Sequence, residues 1–261
     1  MGLRRAALLL LLALPLAACG GTTSSTTSDV ASLEPVALAA AKTSNAAGAH
    51  FQMSARIGDR SHTIAFSGPG EIADHGKQMH MQLTLPASEL GAGGTGNAQF
   101  ELVSSNNTYY LRGGPFEHFA PGKWVKVKST DPSFNLGQND PSQMLEYLRA
   151  TSNVDEVGKD TVRGVETTHY SARLQLDKVT HRVSADAANA LKQATKTLGT
   201  KEIPMDVWVD GNGLVRRVTM DWHPKGGSLV MSLDLFDFGD VTVNVPAGSD
   251  TVDLSNMLGG G

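Results

Sequence analysis

Cysteine is all but missing from this sequence: Cys19 is the only one in 261 residues. Beyond that position the chain offers no disulfide, no thiolate metal site and no thiol nucleophile. Basic clusters are missing as well. Lys and Arg number 22 against 26 Asp and Glu, a formal charge of −4. An acidic surface without a basic patch argues against nucleic acid and against electrostatic adhesion to anionic lipid. Past the N-terminal region no apolar run approaches the roughly 20 residues that cross a bilayer, so the body is expected to be soluble. There is no internal repeat and no composition break strong enough to mark a second domain. Also absent are the Gly-x-Ser-x-Gly elbow of hydrolases and the HExxH helix of zinc proteases.

What the N-terminus does have is an export signal. Arg4 and Arg5 precede the apolar run Ala6 to Leu14, and small residues follow directly before Cys19. That order is the order of a secretory signal peptide, and the run is too short to span a membrane. Leu16-Ala17-Ala18-Cys19 is similar to the bacterial lipobox, in which the thiol accepts a diacylglyceryl group and cleavage leaves the cysteine as the new N-terminus. Removal of residues 1–18 is expected to leave 243 residues with a formal charge of −6. Acylated Cys19 then anchors the protein to the outer face of the cell membrane, since two or more chains hold stably where one holds marginally. Gly20 to Ser28 (GGTTSSTTS) reads as a polar tether with a flexible reach of about 15–18 Å. Residues 29–258 are expected to form one domain, and 259–261 a disordered tail.

The body alternates with period two, the pattern of half-buried antiparallel strands. Met79, Met81, Leu83 and Leu85 fall on one face, and His80, Gln82 and Thr84 on the other. The alternation recurs at Phe51-Met53-Ala55-Ile57, Thr168-Tyr170-Ala172-Leu174-Leu176, Met205-Val207-Val209, Leu214-Arg216-Val218-Met220-Trp222 and Leu229-Met231-Leu233-Leu235. Further strands are expected near 62–67, 98–104, 107–112, 123–128 and 241–245, about ten or eleven in all. Asp210-Gly211-Asn212-Gly213 reads as a hairpin turn in which Gly and Asn supply positive φ, not as a calcium loop, because later acidic ligands are missing. Asn106-Asn107-Thr108 fits a glycosylation sequon but is better explained as another hairpin turn. Gly91 to Gly96 (GAGGTG) lacks the Lys-Ser/Thr ending of a phosphate loop and is expected to join two strands.

Three helices are expected: Val30 to Ser44, Ser142 to Ala150 after a capping Asp140-Pro141, and Ala185 to Leu198, whose stripe Ala187, Leu191, Ala194 and Leu198 is narrow and mostly small. Many antiparallel strands with few helices give an α+β fold, a large curved antiparallel sheet of half-barrel form with helices packed on its concave side. Seven methionines, Met53, Met79, Met81, Met144, Met205, Met220 and Met231, lie on inward strand faces or, for Met144, on the second helix. Met adapts to irregular or exchangeable apolar partners. On the residues alone, an ordinary core and a cavity remain equal readings.

Eight histidines (His50, His62, His75, His80, His118, His169, His181 and His223) raise the question of a metal or a catalytic base. None forms an i,i+4 helical pair, and His80 and His169 alternate with apolar residues, which places them on the polar face. Asp234 and Asp237 fall on opposite faces of one strand and cannot act as a two-carboxylate site. The expectation is a protein without enzymatic activity, cofactor or metal.

The lipobox, the Ser/Thr tether, the Ala-rich first helix and three segments together resemble a known family. The segments are Gly122-Lys123-Trp124-Val125-Lys126-Val127, Val162-Arg163-Gly164-Val165-Glu166-Thr167-Thr168-His169-Tyr170 and Val207-Trp208-Val209-Asp210-Gly211-Asn212-Gly213-Leu214-Val215-Arg216-Arg217. The resemblance is to actinobacterial cell-envelope lipoproteins of the LppX/LprAFG type, and it runs over roughly residues 30–250. It implies the fold of the lipoprotein carrier LolA, an antiparallel half-barrel closed by helices around a hydrophobic cavity. It also implies a role in binding or transferring a lipid or lipid-linked molecule. On that reading the cavity lining would be Met53, Met79, Met81, Leu83, Met144, Leu148, Met205, Met220, Met231 and Leu233. The alternative is a regulatory or interaction module of the same fold, with its cavity filled and an envelope protein as partner.

Overall fold

The alternating segments join edge to edge into a single twelve-stranded sheet. The computed structural model describes residues 35–58, 62–90, 96–114, 116–128, 141–149, 151–175, 200–223 and 227–253. Its strands are β1 (Ala49–Gly58), β2 (Thr63–Ala73), β3 (Gln78–Pro86), β4 (Asn97–Ser105), β5 (Thr108–Gly113), β6 (Trp124–Lys128), β7 (Thr151–Val162), β8 (Val165–Gln175), β9 (Glu202–Asp210), β10 (Val215–Trp222), β11 (Ser228–Phe236) and β12 (Thr251–Asp253). Three helices are described: α1 (Pro35–Ser44), α2 (Phe116–Phe119) and α3 (Pro141–Leu148). The strand order is β12-β6-β5-β4-β3-β2-β1-β11-β10-β9-β8-β7, antiparallel throughout except for the parallel β12–β6 pair. A sheet this wide cannot stay flat, and its twist curls it into the open curved shell that the alternation implies.

Register decides which side chains share a face. Met53 pairs with Leu233 and Gly68, Ala55 with Met231 and Phe66, and Gly70 with Met81. These apolar positions all fall on one face, which also receives Val36, Ala39 and Ala40 of α1 and Leu145 and Leu148 of α3. We call it the inner face. Pro35 occupies the first turn of α1, where its missing N–H costs nothing. The alanines of α1 let it lie close against β7, β9 and β10. Its C-terminal end is tied down from both sides. The Thr43 hydroxyl donates to the Ala39 carbonyl at 2.7 Å and accepts from the Val215 N–H at 2.9 Å.

β2 meets its neighbours most tightly at Gly68-Pro69-Gly70. A Cβ on Gly70 would lie 2.2 Å from the Phe51 ring, and one on Gly68 only 1.6 Å from the Gln82 carbonyl oxygen. Only glycine lets β3 and the Phe51 ring approach this closely.

Several details depart from the sequence expectation. Twelve strands replace ten or eleven, because β7 and β12 carry no clean alternation. β7 is an edge strand with bulges near Asn153 and Glu156, and its side chains are largely exposed. Residues 241–245 are not a strand. They belong to a strap that leaves β11 and reaches the far edge at β12, seating Val243 with Ala73 and Val103 in a small second core beside Val241, Tyr110 and Trp124. Asn212 does not take a positive φ in the β9–β10 turn, whereas Gly213 does, at 72°. The turn is closed instead by the Asp210 carboxylate, which accepts from the Asn212 and Leu214 N–H groups at 2.9 Å each. Asn106 and Asn107 both take positive φ, 48° and 59°, as a tight hairpin turn requires. The expected helix 185–198, the 91–95 part of the Gly-rich loop, Asp140, His181, the signal, Cys19, the tether and the tail lie outside the described residues.

Candidate functional site

The ten residues picked from the sequence as a cavity lining come together in space. Met53, Met79, Met81, Leu148, Met205, Met220 and Leu233 are buried in one hydrophobic cluster, and Leu83, Met144 and Met231 pack against it partly exposed. For eight of them the strands explain the convergence: each is the inward member of an alternating pair, and antiparallel register lines the inward members up from strand to strand, while Met144 and Leu148 are brought in by α3.

The cluster is not uniform along the strands. At the end where β1 begins, Phe51, Met79, Leu111, Leu233 and Leu235 are at most 2% exposed, which is a close-packed interior. Toward the end where β1 finishes, Phe66, Leu83, Phe100, Leu229 and Met231 are only partly buried, and Ile57 is 46% exposed. These six come from five adjacent strands, β11-β1-β2-β3-β4, and share the inner face. They form the open end of an apolar trough. Leu83 and Met231 were among the residues expected from the sequence, but spacing alone could not single out Phe66 and Phe100, which look like any other inward strand residues until the pairing is known. The equivalent end over β8, β9 and β10 is closed: Leu174, Ile203 and Trp222 are buried there.

The outer face carries the polar residues, several of them paired with one another. The Arg217 guanidinium donates twice to the Asp234 carboxylate, at 2.6 and 2.7 Å, and Asp234 is 8% exposed. That hydrogen bonding holds the Arg217 charge more firmly than usual, against the opposing effect of burial. Arg163, in the β7–β8 turn, stacks 3.8 Å above the Phe236 ring. His80 lies between Glu71 and Glu101 at 3.0 and 3.5 Å, and Arg112 donates to Glu101 at 2.7 Å. His169 stacks on Trp208 at 4.3 Å and contacts Asp206 at 2.8 Å. The Trp208 indole N–H reaches Asp160 at 2.9 Å. The Thr161 N–H and then this indole hold the Asp160 carboxyl below the usual range, so its ionised form is favoured by folding and that contribution is lost as pH falls through the lowered value.

The Arg217–Asp234 pair allows a direct test. Arg217→Met leaves a buried carboxylate with only Arg163 at 3.9 Å. It should cost about 1–3 kcal/mol in urea unfolding. Adding Asp234→Leu should restore part of the loss, because the stranded charge is then gone. Equal destabilisation by the single and double variants would contradict this account.

No protein-family model matches the chain. A curated Streptomyces griseus protein, described as an uncharacterized 31.2 kDa protein in the rplA-rplJ intergenic region, is 35% identical over 122 residues. The match spans 45% of this chain and 40% of that protein, well under half the length of either. Among solved structures the chain is similar to LprF from Mycobacterium bovis, at 14% identity over 83% of this chain and 97% of that one, with a TM-score of 0.49. It is also similar to the Mycobacterium tuberculosis lipoprotein LppX, at 14% identity over 82% of this chain and 100% of that one, with a TM-score of 0.45.

Proposed function

We propose that this protein is an extracytoplasmic lipoprotein that takes a hydrophobic lipid or lipid-linked molecule into the open end of its apolar trough and carries or presents it in the cell envelope. The observation that supports this most is the gradient on the inner face, from close-packed at Phe51 and Leu235 to partly exposed at Phe66, Leu83, Phe100 and Met231. Large apolar side chains from five adjacent strands are less than fully buried on this face, with Ile57 exposed, and apolar surface of this kind suits a ligand or interaction site. Nothing in the proposal requires a cofactor, a metal or a catalytic group. Extracting the purified protein with organic solvent and identifying the released material by mass spectrometry tests it. Recovery of a stoichiometric lipid is the expected result, and repeated recovery of none would leave the filled, regulatory alternative.

Anchoring is the second part of the proposal. Among the described residues no helix is long and apolar enough to cross a membrane, and acylated Cys19 supplies the attachment. Cys19→Ser removes the thiol on which both lipidation and processing depend. It should move the protein from the detergent phase to the aqueous phase in detergent partitioning and leave the signal uncleaved. Unchanged partitioning would defeat the lipoprotein reading.

A further inference from the structure

Some polar side chains of the outer face are spent on one another, and others have no internal partner among the described residues. Across β10, β11, β1, β2 and β3, the side of the sheet opposite the open end of the trough is hollowed into a concavity of about 600 Å³. A twisted sheet is a saddle, so each face is concave along one direction. The floor of this hollow is set by register. Thr219 pairs with Ser232, Ser232 with Ser54, Ser54 with Ser67 and Ser67 with Thr84. Each alternates with inner-face residues, so all five hydroxyls stand outward in a line across five strands. Arg56 stands beside them. Within the protein, and among the described residues, neither these hydroxyls nor the Arg56 guanidinium has a hydrogen bond or an ion pair.

We propose that this hollow binds a neutral saccharide chain laid across the strands. Each hydroxyl both donates and accepts, as each sugar hydroxyl does. Adjacent strands repeat every ~4.8 Å, so the line spans about 19 Å and offers the same polar pair again and again to a ligand that is itself a repeat. Arg56 adds planar donors for neighbouring sugar oxygens. Other ligand classes fit worse. An apolar molecule would strand the five hydroxyls away from water. A polyanion would meet one cation, and a polycation would meet only Asp221, which is already engaged by His223 at 2.7 Å.

The site lies on the opposite face from the trough, so its test stands apart from the proposed lipid role. The full mature protein, in a non-glycosidic detergent, is titrated with linear gluco- and mannotetraose and followed by saturation-transfer NMR and calorimetry. Saturable binding of at least one tetrasaccharide is expected. The double variant Ser54→Val/Ser232→Val should weaken it about tenfold or more. Valine suits a strand position, so the melting temperature and the recovered lipid should stay as in the parent. Arg56→Met should weaken it separately. Absence of saturable binding for both sugars, or equal affinity in the double variant, overturns the proposal.

Discussion

Met231→Trp should sharply reduce the lipid recovered from the protein while leaving its melting temperature nearly unchanged, whereas Met81→Trp should do the reverse. Both methionines sit on inner strand faces, and on sequence alone they are interchangeable. The structure separates them. Met81 is 3% exposed, faces Gly70 and Leu102 across its neighbouring strands, and belongs to the close-packed end. A tryptophan there has no room and should cost about 1–3 kcal/mol through overpacking. Met231 pairs with Ala55 and Met220 near the open end and is only partly buried. An indole at that position enters the volume assigned to the ligand. Quantitative mass spectrometry of extracted lipid, with a thermal melt of each variant, checks both halves. Equal lipid recovery from the parent and Met231→Trp would mean that the open end is not the binding site.

Gly68→Ala should cost more stability than any other single methyl group added to the sheet, about 4 kcal/mol or more, and should block folding if the domain is marginal. The added Cβ would lie 1.6 Å from the Gln82 carbonyl oxygen and 2.7 Å from its carbonyl carbon. Both are backbone atoms of a residue paired with Glu101 in the β3–β4 ladder, so no rotamer change relieves the clash. Gly211→Ala is the control. Nothing lies within 4 Å of its Cβ position and its φ is not in the left-handed region, so the change should be within about 0.5 kcal/mol of neutral. Urea midpoints for the two variants decide the matter. A fully folded Gly68→Ala of parental stability would show that the packing of β2 against β3 does not depend on this close approach.

The legible parts of the fold share one physical origin. Segments such as Phe51-Met53-Ala55-Ile57 and Met79-Met81-Leu83-Leu85 bury one face and wet the other, and that contrast is written directly into the residue order. The segments that escaped lack it. β7 has an exposed edge and two bulges, so its residues meet solvent on both faces and give no period. Val241 and Val243 alternate like a strand but pack as an extended strap on the outer face, where the second core beside Trp124 rewards the same spacing without a ladder partner. His80 and His169 were readable as polar-face residues. That His80 would sit between Glu71 and Glu101, and His169 on Trp208 and beside Asp206, 37 residues on, required separate strands to be placed side by side.

For the site, the residue order by itself determined which side chains face inward, because a strand has only two faces and parity assigns them. It determined the polar composition of the other face in the same way, including the serines and threonines of the outer hollow. Tertiary structure alone decided how deep each inward residue lies. Depth depends on what stands across the sheet and above it: α1 and α3 add Val36, Ala40, Leu145 and Leu148 to the cluster that buries Phe51 and Met205, while Ile57, Phe66 and Met231, on three adjacent strands, end up at its open end. It also decided that five outward hydroxyls from five separate segments stand in one line, since strand order and register are properties of the paired sheet and are carried by no single stretch of chain.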